Sequence, residues 1–204
     1  MPDKNLIALI YNARLNSSKE LALSIISELN LTKTSWISSA GDLASNETQL
    51  VTTRVAIIIG GDGTILRSIR TLSPYGIPVV GVKMGKVGFM TELDPIEVFE
   101  KLPRLLDHKN ISDGSIRTEL RMMLEANITS DNAKKPRMTI HALNDVTVGT
   151  SQTTRLVELE AYINETHLTN YRADAIITST ATGSTGYALS AGGPIVFPEA
   201  ELMI

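Results

Sequence analysis

Apolar positions fall in short unbroken runs over the first hundred residues and in alternating ones after them. "NLIALIYNA" and "VAIIIG" each carry five or six consecutive apolar residues bounded by polar ones, the pattern of a strand covered on both faces. "IPVVGV" reads as a third such strand, and "TSWISSAGDL" as a weaker strand running into a loop. Between them "NSSKELALSIISELN" sets Leu21, Ile25, Ile26 and Leu29 at helical spacing behind Asn16 and Ser17 as candidate caps. "ILRSIRTLS" gives a helix stopped near Pro74, and "DPIEVFEKLPRLLDH" a helix interrupted around Pro103. Buried strands alternating with helices predict an α/β domain with a mostly parallel, doubly wound sheet.

The rhythm then changes. "RTELRMMLEANITS", "RMTIHALNDVTVGT" and "RLVELEAYINETHL" are strand-like, and the last places Val157, Leu159, Ala161 and Ile163 on one face. Strands following strands predict an antiparallel, β-sandwich-like second domain, so the expected division is an α/β nucleotide-binding domain over 1–112 and a β-rich domain over 113–204. "TSDNAKKPR" is expected to be a hairpin loop within the latter, and no internal repeat or low-complexity tract is present.

Composition narrows the chemistry. A chain of 204 residues accommodates one large domain or two small ones at roughly 150 residues per domain. Without cysteine there is no disulfide framework, thiolate metal site or cysteine nucleophile. A net charge of -3 offers no electrostatic footprint for nucleic acid, so a small molecule or another protein is the expected partner. The first apolar run, Leu6 to Tyr11, is too short for a signal-peptide core or a bilayer span, and no other segment approaches one. A cytoplasmic protein without a membrane partner is therefore expected.

Four polar and glycine-rich stretches could carry chemistry. The first, Gly60-Gly61-Asp62-Gly63-Thr64, ends a buried strand and opens a helix. Glycines there permit positive φ and close approach to the backbone, while the helix N-terminus favours phosphate. A carboxylate beside a phosphate site needs another task, such as accepting the proton of an attacking hydroxyl; equally, Asp62 could only cap the helix. The stretch is neither a Walker A loop nor a dinucleotide GxGxxG fingerprint. The second, "GVKMGKVGFM", follows the next strand and reaches the same carboxyl edge of the sheet, where Lys83 and Lys86 could neutralise phosphate or simply stand in water. The third, "LNDVTVG", sets Asn144 and Asp145 at a turn or as groups for ribose hydroxyls and base edges. The fourth, "YRADAIITSTATGSTGYALSAGGPIV", gathers Thr180, Thr182, Ser184, Thr185 and Ser190 with Gly183 and Gly186, and Tyr187 offers a flat face for a base. Arg172 and Asp174, within it, could equally be an exposed pair.

Taken in order with "ELRMMLEA", these stretches resemble the NAD kinase family over almost the whole chain from about Val55 onward. GGDGT alone is shared with diacylglycerol and sphingosine kinases; the long fourth stretch gives the resemblance its specificity. The resemblance implies transfer of the γ-phosphoryl group of ATP, or phosphoryl transfer from inorganic polyphosphate, to the 2′-hydroxyl of the adenosine ribose of NAD, with a divalent cation, Mg²⁺ being expected. It implies that Asp62 accepts the hydroxyl proton and that Gly60, Gly61, Gly63 and Thr64 form the phosphate loop. Arg67 and Phe89 fall at dinucleotide-binding positions, Asn144 and Asp145 match the Asn-acidic pair that holds NAD, and Arg155, Arg172 and Asp174 match NAD contacts often made across a subunit boundary. Thr185, Gly186, Tyr187, Ala188, Leu189 and Ser190 match the adenosine-binding turn, and a homo-oligomer, dimer or tetramer, is implied with the site shared between domains and subunits.

The chain departs from the family pattern at Ala175, Ala181, Gly186 and Lys83, where Gly, Pro, Ala and Asn are usual. It also stops at "GGPIVFPEAELMI", where members continue through further strands and a helix, so the second domain is expected to be incomplete with open sheet edges. Two other readings follow from the same residues: a lipid kinase of the diacylglycerol type, and a truncated homologue that binds NAD without turning it over.

Overall fold

The centre of the first unit is a strand pair with no exposed face. In β1 (Leu6–Tyr11) and β3 (Thr53–Gly60) successive side chains point to opposite sides, and both sides are covered. Ile7 and Leu9 of β1 and Val55, Ile57 and Ile59 of β3 enter one apolar cluster, while Ala8, Ile10, Ala56 and Ile58 enter the other. The computed structural model describes residues 4–85, 88–107, 110, 114–130, 137–150 and 156–204. It divides into two compact units, 1–119 and 120–204.

In the first unit β2 (Ser35–Ser39), β1, β3 and β4 (Val79–Lys83) form a four-stranded parallel sheet in the order β2-β1-β3-β4. The helix α1 (Asn16–Glu28) covers one face with Ala22 and Ile25, joined by α4 (Val98–Leu106) through Val98, Leu102 and Leu106. The other face takes α2 (Glu47–Thr52) through Leu50 and α3 (Asp62–Leu72) through Ile65 and Leu72. The expected doubly wound α/β layer is therefore present.

Local details differ from the sequence expectation for identifiable reasons. Asn16 and Ser17 do not cap α1: Leu15 holds the cap position, and no side chain bonds the helix end. The turn is closed instead by Ser18, whose Oγ donates to the Ile59 carbonyl at 2.6 Å and accepts from the Asn12 N–H at 3.0 Å. Pro103 does not interrupt α4, which runs through it for nine residues. A proline removes a single intrahelical bond and can be carried where the apolar stripe of Val98, Leu102 and Leu106 is fully packed. The end of α4 is held by Arg54, whose guanidinium donates to the Leu106 carbonyl at 3.0 Å. Burial lowers that guanidinium from its ordinary value, with Asp107 acting in the opposite direction.

The second unit is antiparallel throughout its described strands: β5 (Leu124–Ile128) pairs β6 (Met138–Ala142), β7 (Asp145–Gly149) pairs β10 (Ala175–Ser179), and β8 (Val157–Ile163) pairs β9 (Thr166–Ala173). Residues 131–136 of the expected hairpin loop between β5 and β6 lie outside the described residues. Along β8, Val157, Leu159 and Ala161 share a half-buried face as their alternation predicts, but Ile163 does not. Between Ala161 and Tyr162 the pairing passes over Leu168 of β9, and beyond this bulge Ile163, the last residue of β8, is 59% exposed. A short helix, α5 (Tyr187–Ser190), follows a 3₁₀ turn over Thr182–Thr185, and the Ser179 N–H and carbonyl both pair with Ile204 at 2.9 Å.

Because Ile57 is wholly buried at the middle of β3, Ile57→Ala is expected to cost about 2–5 kcal/mol. Val51→Ala, at a position 40% exposed, is expected to stay within about 0.5 kcal/mol. Urea unfolding monitored by circular dichroism checks both, and equal losses would contradict this account of the core.

Candidate active site

In a doubly wound sheet the crevice lies where chain connections leave in opposite directions. Here that point is between β1, whose chain leads by α1 to β2, and β3, whose chain leads by α3 to β4. A cleft of about 410 Å³ opens there, lined by Asn12 to Leu15 after β1, by Ala40 and Gly41 after β2, and by Gly61, Gly63, Thr64 and Arg67 after β3, with Met84 beyond β4. Sequence reading missed Asn12 and Arg14. Their signal was position alone, a polar turn at the carboxyl end of a central strand.

The glycines at the end of β3 have two different physical reasons, and positive φ is neither. Among the described glycines only Gly76, Gly85, Gly114 and Gly192 have positive φ. A Cβ at Gly60 would lie 2.7 Å from the Cβ of Thr64, so the strand end and the first turn of α3 close on each other there. A Cβ at Gly61 or Gly63 would meet nothing within 4 Å. These two leave space along the cleft wall, beside the N–H groups of the first turn of α3 that have no carbonyl partner within the helix.

Asp62 is the first residue of α3 behind Gly61 at the cap position, and it does not cap the helix. Its carboxylate turns to the second glycine-rich stretch, where Oδ2 accepts from the Phe89 N–H at 3.0 Å and Oδ1 from the Met90 N–H at 3.2 Å. The local choice between a cap and a free functional carboxylate is thus decided against the cap by a contact 27 residues away. Lys83 is engaged rather than open to the cleft, since its Nζ pairs with Asp94 at 2.7 Å. Lys86 lies outside the described residues. Arg67 is exposed on α3 at the cleft wall, and the Phe89 side chain is 76% exposed.

In the second unit Asn144 precedes β7 and Asp145 begins it. The Asn144 carbonyl accepts from the Thr180 N–H at 2.8 Å and from Ser179 Oγ at 3.2 Å, and Thr180 Oγ1 donates to the Leu143 carbonyl at 2.6 Å while accepting from the Gly183 N–H at 3.0 Å. Gly183 must be glycine, because a Cβ there would sit 2.6 Å from the Asn144 carbonyl carbon. At Gly186 a Cβ would come 3.3 Å from Asn144 Nδ2 and 3.9 Å from Asp145 Oδ2. The structure therefore joins Asn144, Asp145 and the Thr182 to Ser190 turn into one constellation from residues some forty apart in sequence. Within it Asn144 Oδ1 and Thr182 Oγ1 are buried with no protein hydrogen-bond partner. Orphaned polar atoms of this kind are costly unless a ligand or water meets them. Tyr187 and Leu189 are exposed at the rim, Tyr187 by 53%, while Ala188 is buried.

Arg172 and Asp174 are not brought to this constellation. Asp145 pairs with Ser179 at one end of the β7–β10 ribbon and Gly149 with Ala175 at the other, so Asp174, one residue beyond Ala175, stands five residues along the strand from the Asp145 pair, about 17 Å at strand rise. Arg172 lies exposed on β9 opposite Glu158. Arg155 lies outside the described residues. At Ala181 the backbone has φ −57° and ψ −39°, a φ that a proline ring would also hold, so that departure from the family pattern leaves the turn geometry intact.

Two family models match the chain: the ATP-NAD kinase N-terminal domain over residues 7–110 and the ATP-NAD kinase C-terminal domain over residues 143–204. Among curated proteins, an NAD kinase of Caldanaerobacter subterraneus subsp. tengcongensis is 41% identical over 148 residues, which is 72% of this chain and 50% of that protein. An NAD kinase of Heliobacterium modesticaldum is 43% identical over the same shares. The chain thus spans about half the length of the curated relatives it matches. Among solved structures, a yeast NADH kinase complexed with NADH matches with a TM-score of 0.78 at 22% identity, over 98% of this chain and 65% of that one. An NAD kinase from Archaeoglobus fulgidus in complex with ATP matches with a TM-score of 0.69 at 23% identity, over 97% and 70%. At such identities these two likenesses speak to the fold.

The two kinds of glycine should respond oppositely to an added methyl group. Gly63→Ala, inside a helix and facing open space, is expected to raise stability by about 0.5–1 kcal/mol. Gly60→Ala is expected to lower it by about 1–3 kcal/mol through collision with Thr64. Denaturant midpoints of the two variants check the pair, and a loss at Gly63 would contradict the open space assigned there.

Proposed function

The chain belongs to the NAD kinase family, and we propose that its residues serve transfer of the γ-phosphoryl group of ATP to the 2′-hydroxyl of the adenosine ribose of NAD, giving NADP. The observation that carries this reading is Asp62: a carboxylate at a helix N-terminus that caps nothing and is held by Phe89 and Met90 beside two glycines with open space in front of them.

Phosphoryl transfer asks a protein chiefly for positioning and for charge neutralisation. The first unit supplies both. The N-terminus of α3 and Arg14 and Arg67 of the cleft wall offer positive charge to anionic oxygens, and Gly61 and Gly63 let the phosphates approach the backbone, while Gly60 closes the loop by admitting Thr64 against the strand end. Asp62 accepts the proton of the 2′-hydroxyl as that oxygen bonds to the γ-phosphorus; the bond to the bridging oxygen breaks, and ADP leaves. Inorganic polyphosphate presents the same terminal phosphoryl group and is the alternative donor. Among the described residues no group of three or more His, Cys, Asp or Glu could hold a metal ion. A divalent cation, Mg²⁺ by preference, needs only one or two protein carboxylates beside the donor's phosphates, and bound there it would neutralise part of their charge.

The second unit supplies recognition of the dinucleotide. Asn144 and Asp145 offer groups for ribose hydroxyls and for the base, and the Thr185 to Ser190 turn takes the adenosine, with Tyr187 as a flat face. Phe89, largely exposed, provides a second ring for the dinucleotide. Arg155, Arg172 and Asp174 serve NAD held by a neighbouring subunit of a homo-oligomer; the distance of Asp174 from Asp145 along the β7–β10 ribbon supports that assignment. The proposed setting is the cytoplasm, and among the described residues no helix is long and apolar enough to cross a membrane.

Asp62→Asn is expected to leave NAD affinity within a few-fold while lowering turnover by about 10²–10⁴. A coupled assay with an NADP-dependent dehydrogenase measures the rate and calorimetry the affinity, and an undiminished rate would overturn the role of Asp62. In the same assay Gly63→Ala is expected to raise the KM for ATP despite its gain in stability, because its methyl group enters the cleft.

A further inference from the structure

Gly88 is a glycine that backbone conformation does not explain. Its φ is not positive, unlike that of Gly85 three residues earlier, at +97°. What fills its side-chain space is the carboxylate of Asp62: a Cβ at Gly88 would lie 2.7 Å from Asp62 Cγ and would overlap both carboxylate oxygens. The next two residues, Phe89 and Met90, donate their backbone N–H groups to those same two oxygens. Three consecutive backbone positions are thus shaped around one side chain.

The segment that does this is anchored independently of Asp62. Residues 92 and 93 run along the outer edge of β4, where the N–H groups of Glu92 and Leu93 donate to the Gly81 carbonyl at 3.0 and 3.1 Å and the Lys83 N–H donates to the Leu93 carbonyl at 2.8 Å. Glu92 Oε2 accepts from the Gly81 N–H at 2.6 Å, and the Lys83–Asp94 ion pair closes the same edge. Gly81 is itself constrained, since a Cβ there would meet the Met90 carbonyl oxygen at 2.8 Å. The strap is therefore fastened to the sheet at one end and to the carboxylate at the other. It fixes the rotation of the Asp62 side chain, using one lone pair on each oxygen and leaving the remaining ones to accept from a substrate hydroxyl.

We propose that residues 88–90 are a positioning strap for Asp62, with Gly88 the residue that admits the carboxylate and the Phe89 and Met90 N–H groups the ones that orient it. The proposal rests on the reading of Asp62 as the acceptor of the hydroxyl proton only for its effect on turnover. The atom that a methyl group at Gly88 would meet is the end of a side chain, which can rotate away. Gly88→Ala is therefore expected to fold and to displace the carboxylate, whereas a collision with backbone would have to be absorbed by the fold.

The test uses the 204-residue chain labelled with ¹⁵N, together with its NAD kinase assay. In Asp62→Ala the amide proton resonances of Phe89 and Met90 are expected to move upfield as their charged acceptor is removed, and Gly88→Ala is expected to move the same two. In the assay Gly88→Ala is expected to lower kcat by about tenfold or more with the KM for NAD changed by less than about twofold. The Asp62→Ala/Gly88→Ala double variant should be no slower than Asp62→Ala alone, as for two residues acting through one group. Unmoved Phe89 and Met90 amides in either variant, or a wild-type kcat in Gly88→Ala while Asp62→Asn is slow, would overturn the strap. Moved amides with full turnover in Asp62→Asn would leave the strap standing and remove the catalytic reading instead.

Discussion

Everything in the first unit depends on burying β1 and β3 on both faces. A parallel strand pair whose side chains are apolar on both sides cannot leave either side in water, so one set of helices must cross each face. Here α1 and α4 take the side of Leu9 and Ile57, while α2 and α3 take that of Ile10 and Ile58. Because α1 leaves β1 toward one edge of the sheet and α3 leaves β3 toward the other, the loops after the two strands diverge and a cleft must open between them. The place for a ligand is a consequence of how the core is covered.

Within that frame the glycines divide by physical cause. Gly60 and Gly183 are needed because another part of the protein occupies the space: Thr64 in one case, the Asn144 backbone in the other. Gly61 and Gly63 are open, and their small size counts only if something else arrives. Gly88 is a third kind, emptied for the side chain of Asp62. A glycine-rich motif read along the sequence merges these cases, and the expectation of positive φ at GGDG follows from that merging. The carboxylate at its centre is held by the neighbouring loop and not by its own helix, so the two glycine-rich stretches work as one assembly.

The second unit tells the same story with polar groups. Leu143 and Asn144 accept hydrogen bonds through their carbonyls from the Ser179–Thr180 segment, and this pairing leaves Asn144 Oδ1 and Thr182 Oγ1 buried without partners beside the Gly186 turn. The strands themselves were legible from alternation, down to the half-buried face of β8. The loss of Ile163 from that face was not, because a bulge depends on how the partner strand registers and no residue in β8 announces it.

The sequence by itself determined the alternation of strands and helices, the passage to antiparallel strands, the family, and the identity of the chemically important stretches. These rest on local periodicity and on the order of short motifs, which are properties of the chain read in one dimension. Tertiary structure alone decided where Asp62 turns, why Gly88 is glycine, that Lys83 is tied to Asp94, that Asn12 and Arg14 share a cleft with Arg67, and that Asp174 stands apart from Asp145. Each of these is a contact or a separation between residues distant in sequence, set by strand order and register, and no local pattern encodes it.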